Sequence, residues 1–270
     1  MVLVLGVTRT YADGDVDKSQ VLGVQFIAEP FDTVMRAALE HLRSPERTCA
    51  YLCATGVHGV IEAQGSSEFR RILNRSAFNL ADGMPIVFAS RLLGHPRAER
   101  AFGPDAMWSI LSETTDGEVG HYFYGGKPGV ADHLASTVKT RLPGLRVVGT
   151  YCPPFRPLTE SEKGAVARAI NSSGADVVWV GLSTPKQERW VADMRHRLNV
   201  KLLCTVGAAF DYHTGSISPA PVWMKRLALE WLFRLMQEPR RLWRRYTRIV
   251  PAFLFLIGLQ LSGLRKFPID

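Results

Sequence analysis

The chain has 270 residues, 46% of them hydrophobic and 21% charged, and 33 Lys and Arg against 25 Asp and Glu give a formal net charge of +8. That length and apolar fraction fit one large α/β domain, or a domain with an appendage, and exclude a disordered chain. The basic balance points to an anionic partner: a phosphorylated ligand, an acidic membrane surface or nucleic acid.

The opening Met1-Val2-Leu3-Val4-Leu5-Gly6 is apolar but has no basic n-region and no small-residue cleavage site, so no signal peptide is expected. Residues 10–20 read as a polar loop, and Val21 to Ala28 as a strand. Pro30-Phe31-Asp32 opens a helix to about Arg43, with Val34, Ala38 and Leu42 at helical spacing. Thr48 to Ala54 is a strand apolar enough to be buried on both faces, and Val57 to Leu73 reads as helical. Helices are expected from Pro85 to Leu93 and from Gly103 to Ser112. From residue 120 strand, glycine turn and helix alternate. Strands cover Gly120–Tyr124, Leu145–Tyr151, Asp176–Val180 and Val200–Val206, and helices cover Val130–Leu142, Thr159–Ser172 and Lys186–Leu198. Thr159 with Glu162 has capping-box spacing. This alternation predicts a parallel sheet wrapped by helices, with ligands at the C-terminal ends of the strands.

After Pro219 the pattern changes. Val222 to Met236 reads as a helix, followed by Arg240, Arg241, Arg244, Arg245 and Arg248 and by an apolar run from Ile249 to Leu261. That run is shorter than the ~20 residues needed to span a bilayer. Residues 1–216 therefore read as an α/β core and 217–270 as a basic, amphipathic appendage. Arginines beside an apolar face suit the interface of an acidic bilayer. Nucleic acid would account for the arginines but not for Phe253-Leu254-Phe255-Leu256-Ile257.

Phe78-Asn79-Leu80-Ala81-Asp82-Gly83-Met84-Pro85-Ile86-Val87 sets one carboxylate between apolar residues, just before a glycine and a helix-opening proline. Asp82 is either that helix's N-cap or a general base at a cleft rim. Thr55, at the end of a neighbouring strand, either finishes the strand or meets a substrate. Gly125-Gly126-Lys127-Pro128-Gly129 lies between strand and helix, where glycines let a phosphate approach backbone N–H groups and Lys127 adds charge. Gly181-Leu182-Ser183-Thr184-Pro185-Lys186-Gln187-Glu188 repeats the arrangement, with Ser183 or Thr184 as expected cap, Pro185 near the first helical position and Gln187 offering both donor and acceptor. Asp211 and His213 follow the last core strand and either meet a ligand or fix the loop. No G-x-G-x-x-G opens a helix, which argues against a dinucleotide enzyme. Cys49, Cys53, Cys152 and Cys204 form no pair of close pairs, so zinc is not expected and reduced, small apolar thiols are.

Taken together and in order, these stretches resemble the WecG/TagA/CpsF family, bacterial glycosyltransferase family 26. The resemblance runs through Phe78–Val87, Arg91 with Gly94, Phe123–Ala131, Gly181–Glu188 with Trp190, Val206–Gly215, Ala220-Pro221, Leu229–Arg234 and Glu238–Leu242. It implies a Rossmann-like fold of the GT-E type and inverting transfer from a UDP-sugar to a polyprenyl-diphosphate-linked saccharide. The donor would be of N-acetylmannosamine, glucuronic acid or glucose type. The setting would be wall-polymer, capsule or exopolysaccharide synthesis at the cytoplasmic face of the bacterial inner membrane. The family's proposed catalytic base falls on Asp82 and its strand-end threonine on Thr55, with Gly56 standing where the family usually has asparagine. The nucleotide-sugar would meet Gly125, Gly126, Lys127, Pro185, Gln187 and Asp211. Arg234, Arg240, Arg241, Arg244 and Arg245 would serve the diphosphate and the membrane. No cofactor is expected and a metal-independent reaction is favoured, since no dense acidic pair suits Mg²⁺; self-association is left open. Readings from other classes are a non-catalytic basic membrane adaptor and a nucleic-acid-binding protein.

Overall fold

A computed structural model describes residues 16–221, 223–224 and 229–269; the side chain of Arg241 lies outside the described residues. So do the apolar opening, most of the expected polar loop and part of the helix expected over 222–236.

The core is a parallel sheet of six strands in the order β4-β3-β8-β7-β5-β6. These are β3 (Ala50–Thr55), β4 (Phe78–Ala81), β5 (Gly120–Gly125), β6 (Arg146–Tyr151), β7 (Val177–Gly181) and β8 (Leu202–Thr205). The central strands are buried along their length because helices cover both faces, which is why they read as unbroken apolar runs. Two apolar layers result. One holds Tyr51, Val60, Phe69, Val178 and Leu203; the other holds Leu52, Phe78, Met107, Phe123 and Trp179.

The hydrophobic spacing placed most helices within a residue or two. They are α1 (Phe31–Arg43), α2 (Val57–Gln64), α3 (Ser67–Asn74), α4 (Met84–Leu92), α5 (Gly103–Ser112), α6 (Val130–Arg141), α7 (Glu160–Ser172) and α8 (Lys186–Met194). The short α9 (Ala209–His213), α10 (Glu230–Gln237) and α11 (Pro239–Leu261) complete the chain. The capping box at Thr159 and Glu162 forms in both directions.

Three expectations are corrected. The strand expected over 21–28 is the second half of an antiparallel hairpin, β1 (Lys18–Val21) and β2 (Val24–Ile27), so the end of the expected polar loop is strand. Leu22 and Gly23 turn it with φ of 51° and 81°, the two-residue geometry that matches strand twist. The helix expected over 57–73 is broken in two: Gly65 ends α2, and the Ser66 hydroxyl accepts from Phe69 N–H to start α3. The helix expected to reach Leu198 stops at Met194.

The segment after residue 216 lies on the core. Helix α11 buries Leu242, Ile249, Phe253 and Ile257, spaced seven, four and four residues apart on one side. The Gln260 amide accepts from Leu22 N–H (2.8 Å) and donates to Gln20 O (2.9 Å), and Gln20 Nε2 donates to Phe267 O. The opposite side is exposed and carries Arg240, Trp243, Arg244, Arg248, Leu254, Phe255 and Leu261. No helix among the described residues is long and apolar enough to cross a membrane.

Candidate active site

Turns after all six sheet strands open onto one cleft of about 1710 Å³. Gly56 follows β3, Asp82 and Gly83 follow β4, Gly126 and Lys127 follow β5, Cys152 to Phe155 follow β6, Ser183, Thr184, Lys186 and Gln187 follow β7, and Gly207 follows β8. This is where a parallel sheet presents backbone dipoles and loop side chains to a ligand. The far wall comes from α10 and α11, through Glu230, Arg234, Arg245 and Tyr246.

Asp82 is half-buried at the cleft wall. Its backbone N–H donates to Thr55 O (3.1 Å), which extends the β3–β4 ladder one residue past the strand. It does not cap α4, whose N-cap is Gly83 with no side-chain bond. Instead its Oδ1 accepts from Gly103 N–H (3.2 Å) at the start of α5. Burial pushes the carboxyl up from 3.8 to about 6; Arg100 and the Gly103 N–H oppose the rise, Glu230 adds to it and Arg234 opposes it. A carboxyl raised to about 6 is mostly ionised at neutral pH and more basic than an ordinary aspartate.

Arg100 and Glu230, which the sequence did not single out, make an ion pair of 2.7 Å whose two charges both act on Asp82. The Arg100 guanidinium lies 4.2 Å from the Phe102 ring centroid. Arg234 pairs with Glu238 at 3.0 Å and sits 5.5 Å from the Tyr212 ring centroid. His58, also missed, pairs with Glu62 at 3.4 Å, and burial and then the charge of Arg245 hold its pKa below the ordinary value. Arg100 stands shortly before the Gly103-Pro104-Asp105 helix start, but no spacing linked it to Asp82, eighteen positions earlier.

The other expected residues divide. Gly126, Lys127, Gln187, Asp211, Arg234 and Arg245 line the cleft with Asp82. Thr55, Gly125 and Pro185 do not. The Thr55 hydroxyl is buried with no partner among the described residues, while its methyl packs where a Cβ on Gly59 would lie. A Cβ on Gly125 would meet Gly181 O at 2.6 Å, so this glycine is required by the approach of β5 to β7 as well as by its φ of +124°. The Gly126 N–H donates to Gly181 O (3.0 Å), which removes it as a phosphate donor. Gly56 has ordinary backbone angles, but a Cβ there would lie 3.2 Å from Asp82 O.

Neither Ser183 nor Thr184 caps α8. Thr184 Oγ1 donates to Glu188 Oε1 (2.8 Å), and Gln187 Nε2 donates to the same oxygen (3.0 Å). Gln187 Oε1 accepts from Gly207 N–H (3.1 Å), so this amide ties the β7 and β8 turns together rather than standing open to a base. Burial raises the Glu188 pKa above its ordinary value. His213 bonds Pro104 O (3.0 Å) and packs on Trp108, fixing its loop. Arg240 and Arg244 are exposed on the outer side of α11. Cys53 and Cys204 are buried and all four thiols are free; no cluster of metal-binding side chains occurs among the described residues.

The fold and the cleft define a Rossmann-like α/β protein with a cation-rimmed cleft across its strand ends. The chain belongs to the Glycosyl transferase WecG/TagA/CpsF family, whose pattern matches residues 19–266, so the resemblance carried by the motifs is borne out. One relative is an N-acetylglucosaminyldiphosphoundecaprenol N-acetyl-beta-D-mannosaminyltransferase of Bacillus spizizenii, 28% identical over 221 residues, which are 81% of this chain and 84% of that protein. A protein with the same activity name from Bacillus subtilis is 30% identical over 178 residues, 66% of this chain and 67% of its own.

Proposed function

We propose that the protein is an inverting hexosyltransferase that moves a sugar from a UDP-sugar onto a polyprenyl-diphosphate-linked saccharide at an acidic membrane surface. The relatives' activity names support an acceptor of this kind. The observation that carries the mechanism is Asp82: a carboxylate with a pKa of about 6 on the wall of a cleft that Arg100, Arg234 and Arg245 also line.

Asp82 takes the proton of the acceptor hydroxyl as that oxygen forms its bond to the anomeric carbon. The bond from that carbon to the UDP oxygen breaks on the opposite face, and UDP leaves with the electron pair. General-base help of this kind is worth ~10²–10⁴ in rate. Charge growing on the departing diphosphate is met by Lys127, Arg234 and the turn dipoles, an aimed electrostatic contribution of the kind that often exceeds proton transfer. Arg100, held by Glu230, keeps Asp82 ionised. No metal is required in this scheme. The exposed arginines, Trp243 and Phe255 of α11 set the enzyme on the cytoplasmic face of the membrane, where its acceptor resides.

A donor screen with UDP-linked N-acetylmannosamine, glucuronic acid and glucose, against a lipid-diphosphate-linked sugar, tests the reading. Transfer from one donor, with inverted anomeric configuration and insensitivity to EDTA, is expected. Retained configuration, or activity lost to EDTA and restored by Mg²⁺ or Mn²⁺, overturns the mechanism.

A further inference from the structure

The cleft is larger than the ~300–1,000 Å³ typical of a small-molecule site, and its extra volume has a distinct chemistry. Along α11 the residues that line it change character in chain order: after Leu242 come Arg245 and Tyr246, then Ile249, Val250, Phe253 and Leu254. Asp82 is followed by Met84 and Pro85, with Val57 of α2 beside them. The polar end therefore lies at Asp82, Arg245 and His58. The apolar stretch ends at Leu254, which is 63% exposed and next to Phe255, itself exposed. From Arg245 to Leu254 is nine residues of helix, or ~14 Å.

We propose that this apolar limb is the seat of the first isoprene units of the lipid acceptor, leading from the membrane-facing side of α11 to Asp82. The inference rests on the function proposed above and adds a binding site for the lipid part of the substrate. Its occupant follows from charge and shape together. A diphosphate head matches Arg245 at the polar end. A branched hydrocarbon tail matches the limb, which holds no charged side chain beyond Arg245 and His58 on the walls named here. The limb meets exposed apolar side chains, so the chain need not cross water between bilayer and site. The site thus recognises the prenyl chain itself and does not merely meet it at the membrane.

The test measures transfer in detergent, without membranes, to acceptors that share one head group and carry either a short alkyl chain or several isoprene units. Wild-type protein is expected to show a KM at least tenfold lower for the isoprenoid acceptor. Val250→Trp, which fills the limb, and Leu254→Ser, an exposed change that cannot unfold the core, are expected to erase most of that advantage. A UDP-induced rise in Tm in Val250→Trp shows that the variant is folded. Equal KM values for both acceptors in the wild type, or an undiminished preference in both variants, overturn the lipid site and leave the proposed enzyme standing. No transfer by the wild type from any donor to either acceptor overturns both.

Discussion

Replacing Asp82 by Asn separates catalysis from stability. The fold raises the Asp82 pKa from 3.8 to about 6, so it favours the protonated carboxyl. The sign follows: stability from this group is fully present below pH 4 and is lost as pH rises from 4 through 6. At about 1.4 kcal/mol for each pKa unit, the ionised group costs about 3 kcal/mol above pH 7. Asparagine is neutral at every pH and keeps an oxygen to accept from Gly103 N–H, so that cost disappears. The pull of Arg100 and Arg234 is already contained in that net shift, so with the asparagine amide needing its own partners a gain of about 1–3 kcal/mol is expected. For a chain of this size that is a Tm rise of roughly 2–9 °C at pH 7.5, shrinking towards zero at pH 4. Transfer should fall ~10²–10⁴-fold, and the acid limb of the wild-type kcat/KM profile, near pH 6, should vanish. Calorimetry at both pH values and a pH–rate profile check this. Unchanged turnover in the variant would falsify the base assignment, and a lower Tm at pH 7.5 refutes the burial argument.

The other predictions concern the surroundings of that carboxylate, the end of β5 and the outer side of α11. Arg100→Gln removes a charge that holds the Asp82 pKa down, so the acid limb should move to higher pH while kcat falls at least ~10-fold; an unmoved limb separates Arg100 from Asp82. Gly125→Ala forces a Cβ against Gly181 O and strains a φ of +124°, and should cost on the order of 2–3 kcal/mol in urea unfolding; a neutral result would mean the β5 and β7 ends separate freely. Trp243→Ser with Phe255→Ser should reduce partition onto anionic vesicles roughly tenfold, from ~1.4 kcal/mol of lost apolar burial. Unchanged co-sedimentation with such vesicles moves the membrane contact away from α11.

Much of this was legible in the chain. Apolar runs at β3, β5, β7 and β8 announced a sheet covered on both faces, because strands without a wet side need no alternation. Glycine turns between strand and helix placed the ligand end, and Asp82 stood out as a carboxylate wedged between core residues and a helix start. The hairpin was hidden because Leu22, an apolar residue, occupies a turn position with positive φ. Its strain is borne by tertiary contacts: its side chain is buried and its N–H is bound by Gln260, far along the chain. Gln187 and the glycine turns show the opposite error. Their types suit a nucleotide, yet the fold uses the Gln187 amide and the Gly126 N–H to join neighbouring strand ends.

Sequence by itself therefore determined most of the elements and their order, and singled out the carboxylate at the end of β4, since each depends on spacing within a few residues. Only the tertiary structure decided that Arg100, Glu230, Arg234 and His58 line one cleft with Asp82, and that one side of α11 is core while the other is bare. Burial, which sets the carboxyl's affinity for a proton, and ion pairing both depend on groups brought together from distant parts of the chain, and no local pattern records those distances.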